Sequence, residues 1–285
     1  FPLLPDFGLL KKYYKEKTPT LTKWYGKLSL NWTGSVTQKT IQLKSIHIIA
    51  LLIIPVGFML QTIDAWLFST LFRVGWDSTN MGAYFISGAA VAGIGALVTV
   101  VYVLQKIYKL EDYITDFHFD KLGKLLVLMC LIYLYFNLNE YLIPQLTSKK
   151  EATTHINVLL TGQFAPLFWF VIIGGLMMPI IVLLFKKGRK PLPMFIIGLL
   201  VVLGSWWKRY LIVTPTLLHP FLPIQGVPEE WRHYFPSLHE WLITIATLAM
   251  ALLIITILVR YVPIIPIQRT ADEQEELELN KSTKL

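Results

Sequence analysis

The stretch HIIALLIIPVGFMLQTIDAWLFS, residues 47–69, is almost entirely apolar and decides the fold class. The hydrocarbon core of a bilayer is about 30 Å thick, and a helix needs roughly 20 residues to cross it. Inside lipid every backbone N–H and C=O must be bonded within the protein, so a run of this length predicts a helix rather than a strand. The stretch therefore predicts a membrane-spanning helix.

Five more runs of this kind follow, separated by short polar loops. The six predicted spans are 45–68, 82–106, 125–145, 166–185, 193–213 and 238–262. The fold class that follows is an all-α integral membrane protein with six transmembrane helices. It divides into a cytoplasmic basic segment, a six-helix transmembrane domain and a cytoplasmic charged tail, at residues 1–44, 45–262 and 263–285.

The positive charges fall in every second loop. Lys and Arg are retained on the cytoplasmic side far more strongly than acidic residues are. Residues 1–44, the loops at 106–124 and 186–190, and the end of the chain from Arg260 onward together hold 20 of the 26 Lys and Arg residues. We therefore expect a multi-pass protein of a prokaryotic cell membrane, with both ends of the chain in the cytoplasm.

The composition excludes several classes of protein. Hydrophobic residues make up 54% and charged residues only 15%, whereas soluble proteins carry about 25% charged residues. This composition argues against a soluble enzyme, and nucleic-acid binding has little support because no basic stripe alternates with exposed aromatics outside the spans. The chain begins at Phe1 rather than Met, and we expect an N-terminal piece of the natural protein to be missing.

The sequence offers no set of metal ligands. Cys130 is the single cysteine, so neither a disulfide nor a thiolate metal site is expected within the chain. Haem between two helices needs a pair of histidines at matching depth. His47 lies at the inner end of its span and His239 at the outer end, and the other histidines lie in loops. We expect no metal, haem or iron–sulfur cluster in this chain, so any such cluster belongs to another subunit.

Gln61 and Asp64 are polar residues toward the outer end of the first span. They are three residues apart and share one helix face. A buried ionisable group is costly in a membrane and marks a candidate site. An amide beside a carboxylate suits a quinone carbonyl and its proton, which makes this pair a candidate quinone site. The alternative is that Asp64 only caps a helix or meets the outer water.

The third span carries a polar stripe, because Tyr133, Asn137 and Glu140 recur at i, i+4 and i+7. The stripe could carry protons or hold the bundle together by hydrogen bonds. In the fifth span Lys208 and Arg209 either extend outward to the interface, as terminal cations commonly do, or Arg209 pairs with Glu140. The candidate proton network is therefore Tyr133, Asn137, Glu140 and Arg209.

Several segments resemble one family of membrane subunits when they are taken in order. These are FPLLPDFGLLKKYYKEK with NWTG at 31–34, RVGWDSTNMGAYFISGAAVAGIGAL at 73–97, HFDKLGKLLVLMCLIYLYFNLNEYLI at 118–143, GSWWKRYLIVTPTL at 204–217 and YFPSLHEW at 234–241. Together they resemble the NrfD family, which includes the polysulfide reductase anchor and membrane subunits of alternative complex III. The resemblance extends over about residues 2–266, and this chain is similar to the last six spans of the family's longer members.

The resemblance implies a membrane anchor that passes electrons between a quinone pool and an extrinsic iron–sulfur subunit. A molybdopterin catalytic subunit often lies beyond that partner, the cofactor is a quinone of the menaquinone type or similar, and sulfur-compound respiration is one setting. The family's quinone pocket lies near the outer face, in a bundle to which only the first span here, with Gln61 and Asp64, would belong. The chain departs from the family pattern at Gln61, where relatives often have His, at Lys208, where they often have Glu, and at Asp77, where Trp-His-Ser is common.

Two other functions stay open at this point. A secondary transporter would place polar groups at the membrane midplane on interrupted helices of an internal repeat, and Pro55 and Pro179 each interrupt a span. An NrfD-like subunit that handles protons or holds partners without a quinone site is the other alternative.

Overall fold

The computed structural model describes residues 2–15, 17–71, 73–146, 150–218, 228 and 234–272, and the secondary structure of these residues is helical, without strands. The helices are α1 Leu4–Tyr14, α2 Pro19–Leu28, α3 Val36–Ser69, α4 Met81–Ile107, α5 Asp116–Leu146, α6 Lys150–Leu160, α7 Ala165–Trp169, a π-helix Phe170–Met177, α8 Met178–Leu184, α9 Pro191–Leu218 and α10 Leu238–Tyr261.

Six segments are long and apolar enough to cross a membrane, as the sequence predicts: α3, α4, most of α5, the α7–π–α8 run, α9 and α10. Two helices extend well beyond the predicted spans. Helix α3 begins at Val36 and α5 at Asp116, because hydropathy marks where a helix enters the hydrocarbon and not where its backbone hydrogen bonds begin. Helix α3 also continues through Pro55 without interruption.

The chain divides into two compact units, one formed by the described residues of Phe1–Pro55 and Phe235–Leu285 and the other by Val56–Tyr234. In the first, which we call the terminal unit, α1 packs on α2, α1 contacts the chain beyond α10, and α2 contacts the last residue of α10. The buried Asp6 carboxylate accepts a hydrogen bond of 3.0 Å from the Gln268 backbone N–H. The Tyr25 hydroxyl donates to the carbonyl of Tyr261, also at 3.0 Å. These two bonds tie the basic segment to the end of the last span.

In the second, the central unit, glycines let helices approach closely. A Cβ added at Gly95 of α4 would lie 2.7 Å from Val201 Cγ1 of α9, and one added at Gly204 of α9 would lie 2.7 Å from the Cα of Gly175 in the π-helix. Small residues at helix contacts are the usual means of tight packing in membranes, where burial from water supplies no driving force. Helix α9 is thereby held between α4 and the π-helix.

The π-helix has a local cause in the sequence. Pro179 has no N–H to donate to the carbonyl four residues earlier, that of Gly175, and in a regular α-helix its ring would clash with that carbonyl. A wider turn before the proline relieves this clash. A cluster of buried apolar side chains from α4, α5, the π-helix, α8 and α9 forms the main core of the central unit, among them Val98, Leu126, Cys130 and Val201, each 0% exposed.

Candidate functional site

Lys208 lies inside the central unit and is only 3% exposed. The sequence left open that Lys208 extends outward to the membrane interface. In the structure its side chain is buried instead. Lys208 is on the face of α9 that contacts its neighbours, four residues after Gly204, so the close approach of α9 to the π-helix encloses it. Arg209, the next residue, is exposed.

Three aromatic rings surround the Lys208 ammonium. Its Nζ donates a hydrogen bond to the Tyr141 hydroxyl and lies 4.6, 5.6 and 5.8 Å from the ring centres of Tyr141, Tyr84 and Phe168. Cation–π contacts within about 6 Å contribute about 0.5–2 kcal/mol each, more where water is excluded. The rings come from α5, α4 and α7 respectively, so one lysine of α9 is held by three other helices.

A series of hydroxyl and amide groups extends from the Lys208 ammonium. The rings of Tyr84 and Tyr133 stack at 5.4 Å between centres, and the Tyr84 side chain is hydrogen-bonded to both Tyr133 and Tyr141. Asn137, 2% exposed, donates from Nδ2 to the Tyr133 carbonyl at 2.8 Å. Its Oδ1 is buried and accepts no hydrogen bond from the described residues. A buried acceptor without a donor costs about 1–3 kcal/mol, so this oxygen is a place for a further donor.

Glu140 connects the cluster to the loop between α3 and α4. Its side chain is hydrogen-bonded to Ser78 and interacts electrostatically with Lys208 and Asp77. Its second oxygen, Oε2, is buried without a partner among the described residues. We call Lys208, Tyr84, Tyr133, Asn137, Glu140 and Tyr141 the polar cluster.

The loop is held over the polar cluster by two contacts. Gly75 has a φ of +84°, and a Cβ there would lie 2.9 Å from His155 Nε2, so a glycine is needed at this turn. Trp76, 4% exposed, donates from Nε1 to the Ile212 carbonyl of α9 at 2.8 Å. Ser78 follows two residues later and is thereby placed beside Glu140.

Two cavities adjoin the polar cluster. Both are small. The first, about 40 Å³, is lined by Tyr84, Phe85, Gly88, Ala89, Ala92, Tyr133, Ser205, Lys208, Arg209 and Ile212. The second, about 10 Å³, lies between Asn137, Ser205, Lys208 and residues of α4 and the π-helix. Small residues on α4 create the first space, since a Cβ at Gly88 would lie 3.0 Å from the Tyr133 ring.

The structure brings together three of the four residues of the predicted proton network. Tyr133, Asn137 and Glu140 belong to the polar cluster, and Arg209 lines the first cavity. Among the described residues no ion pair within 4 Å joins Arg209 to Glu140, and Lys208 is the cation whose charge acts on Glu140. The alternative pairing of Arg209 with Glu140 is therefore absent from the described structure.

Gln61 and Asp64 lie on α3, which contributes no residue to the polar cluster. Gln61 is half-buried and Asp64 is exposed, and neither lines the two cavities. The inward face of this part of α3 is formed by Ala65, which is fully buried, and Phe68, whose ring lies 4.9 Å from that of Trp76. Asp64 is one residue from Ala65, about 100° around the helix, which turns its carboxylate to the open side.

Sequence reasoning left Tyr84 and Tyr141 out of the site and gave Lys208 no role in it. A signal for Tyr141 exists, because Tyr133, Asn137 and Tyr141 recur every four residues on one helix face. No comparable signal separates Lys208 from Arg209, since two adjacent cations differ only in the direction that packing gives them.

Residues 10–220 match the family described as "Polysulphide reductase, NrfD". The chain belongs to the NrfD family. The resemblance seen in the sequence motifs is thereby confirmed, as is the fold class of an all-α integral membrane protein.

Two curated relatives are similar over part of the chain. Over 151 residues the chain is 29% identical to a selenate reductase subunit of Mesobacillus selenatarsenatis, a match that covers 50% of this chain and 35% of that protein. Over 107 residues it is 27% identical to the integral membrane subunit of the menaquinone reductase of Nitratidesulfovibrio vulgaris, covering 38% of this chain and 23% of that protein. The chain thus spans well under two thirds of the length of either relative.

Proposed function

We propose that the chain is a quinone-interacting membrane anchor subunit of a respiratory oxidoreductase complex. It passes electrons between the quinone pool and an extrinsic iron–sulfur subunit, with a molybdopterin catalytic subunit beyond it in a sulfur-compound or related reductase. Family membership supports this, as do the names of two relatives, subunits of a menaquinone reductase and a selenate reductase. The quinone is of the menaquinone type or similar.

The observation that carries the proposal is the polar cluster itself. Burying an ammonium and a carboxyl group in a membrane protein costs several kcal/mol, so such groups mark ion or proton paths. Lys208, 3% exposed, is held with Tyr84 and Tyr141 between four helical segments. Aromatic rings surround the Lys208 ammonium, and an apolar core adjoins the polar cluster. This arrangement suits proton exchange along a fixed series of side chains better than the passage of a solute.

Quinone redox chemistry couples two electrons to two protons when the head group is bound, so its site needs a hydrogen-bond donor and a proton acceptor. Gln61 and Asp64 supply an amide and a carboxylate three residues apart on the outer half of α3. Asp64 is exposed and Gln61 half-buried, so a head group can reach both. In this proposal the Gln61 amide orients a carbonyl and the Asp64 carboxylate exchanges the proton.

The polar cluster then moves protons within the outer half of the membrane. Ser78 connects the Glu140 carboxyl to the loop, and the charge of Lys208 acts on the same carboxyl. From Lys208 the hydroxyls of Tyr141, Tyr84 and Tyr133 follow. Arg209 lines the cavity beside Tyr133 and adds positive charge there. The path ends at Asn137, and Tyr133 packs against the apolar cluster that includes Leu126 and Cys130.

The charge distribution of the loops supports the orientation. With both chain ends in the cytoplasm of a prokaryotic cell, the loop that carries Ser78 and the outer ends of α3 and α5 face the opposite side of the cell membrane. Both the Gln61–Asp64 pair and Glu140 then lie near the non-cytoplasmic surface.

Purification of the complex from native membranes, with metal and quinone analysis, tests this function. We expect a partner that carries iron–sulfur clusters and a bound quinone that a quinone-site inhibitor displaces. Two results together would instead favour a transporter. The native preparation would contain neither a quinone nor a partner with iron–sulfur clusters, and the isolated subunit would take up a solute into liposomes.

A further inference from the structure

A basic groove lies in the terminal unit, between α1, α2 and the turn that follows α2. It has a volume of about 710 Å³, and its lining residues include Lys11, Lys23 and Lys27 together with Trp24 and Leu30. None of these residues takes part in the proposed quinone chemistry, which concerns the central unit.

The three lysines converge because of the way α1 packs on α2. The Lys11 chain crosses the face of α2 at Gly26, where a Cβ would lie 3.6 Å from its Cε and 3.9 Å from its Nζ. Lys23 and Lys27 of α2 are four residues apart and therefore lie on one face of that helix. All three are exposed, and none belongs to the ion pairs that the described residues form. The groove is therefore a concentration of positive charge.

The groove is fixed at the level where a membrane span ends. Tyr25, 5% exposed and in the middle of α2, donates its hydroxyl proton to the carbonyl of Tyr261. Tyr261 is the last residue of α10, whose 24 residues form an apolar span. Helix α2 thus lies beside the end of a transmembrane helix, at the depth of the lipid head groups.

Two exposed apolar side chains border the positive charge. Trp24 is 62% exposed and Leu30 is 70% exposed. Leu30 has a φ of +45°, a backbone region that a leucine rarely adopts, and this turn brings its side chain to the groove. Tryptophan is typical of the interface between head groups and hydrocarbon. Positive charge beside tryptophan and leucine matches a molecule with an anionic head and an apolar chain.

We propose that this groove binds an anionic phospholipid, with its phosphate among Lys11, Lys23 and Lys27 and its glycerol and upper acyl chains against Trp24 and Leu30. Basic sites beside transmembrane helices bind anionic lipid head groups in this manner, each cation near the surface contributing about 1 kcal/mol. An acidic protein segment would satisfy the lysines but would leave the apolar border without a partner.

Native mass spectrometry of the full chain in a neutral detergent tests the proposal. The chain is titrated with phosphatidylglycerol and with phosphatidylcholine of the same acyl chains. We expect preferential binding of phosphatidylglycerol, weakened about fivefold for each lysine removed in the triple variant K11Q/K23Q/K27Q. The charge-conserving triple variant K11R/K23R/K27R should keep the preference, which separates loss of charge from loss of folding.

The matched control is K39Q/K44Q/K186Q, which removes three exposed lysines that do not line the groove. It should bind phosphatidylglycerol as the wild type does. Two results would overturn the proposal: equal affinity of the groove variant and the wild type, or equal loss in the control variant. Competition by glycerol phosphate or by a polyglutamate peptide as effective as that by the whole lipid would also overturn it, since the site would then recognise charge alone.

Discussion

Replacement of Lys208 by Met separates the proton-handling role of the polar cluster from a structural one. Methionine has nearly the shape of the lysine chain without its charge. The change removes the hydrogen bond to Tyr141, about 1.5–3 kcal/mol for a charged donor, and three cation–π contacts of about 0.5–2 kcal/mol each. It also removes the cost of keeping an ammonium that is 3% exposed out of water, which is several kcal/mol.

These contributions nearly cancel. We therefore expect Lys208→Met to change the free energy of unfolding by no more than about 2 kcal/mol, in line with other exchanges of buried charges for apolar residues. Quinone turnover should fall much further, since loss of a positioned acid or base lowers rates by about 10²–10⁴-fold. A fall of at least about tenfold per assembled complex is the expected result.

The assay is oxidation of a menaquinol analogue by the complex in native membranes, with an artificial electron acceptor and normalisation to the amount of assembled subunit. Thermal unfolding of the purified complex reports stability. Lys190→Met is the matched control, because Lys190 is exposed at the start of the same helix. Wild-type turnover in an assembled Lys208→Met complex would refute the proton-handling role.

Three further predictions concern packing, the quinone pair and the loop. Gly204→Ala should lower the free energy of unfolding by about 1–3 kcal/mol through overpacking against Gly175, whereas Gly57→Ala, with open space around it, should leave thermal unfolding unchanged or slightly raise its midpoint. Asp64→Asn should lower quinone turnover without loss of assembly, and equal turnover would remove Asp64 from the site. Trp76→Phe should cost about 1 kcal/mol in denaturant unfolding because its hydrogen bond to α9 is lost; an unchanged midpoint would show that this bond does not hold the loop.

Hydropathy predicts the six spans because a membrane imposes one rule on all of them: an apolar run of sufficient length must be helical. The same rule does not predict where a helix begins or ends outside the membrane. Helices α3 and α5 therefore begin earlier than the predicted spans. This rule also gives no sign of the π-helix. The local cause of that feature is Pro179, whereas the close contact of the π-helix at Gly175 is with Gly204 of another helix.

The polar stripe of α5 could be predicted for the same kind of reason, since helical periodicity alone places Tyr133, Asn137 and Glu140 on one face. The environment of Lys208 could not, because it depends on how far α9 rotates and how closely it approaches three other helices. The aromatic rings that hold Lys208 come from segments distant in the sequence. No local pattern indicates which of two adjacent cations faces them.

Infrared difference spectroscopy of the intact complex, recorded between its oxidised and quinol-reduced states, tests the central claim most directly. If the polar cluster exchanges protons with quinone chemistry, reduction must alter the carboxyl band of Glu140 and the phenol bands of its tyrosines. We predict that the carboxyl signal disappears in Glu140→Gln and shifts in Lys208→Met. A difference spectrum that is identical in the wild type and both variants would contradict the account.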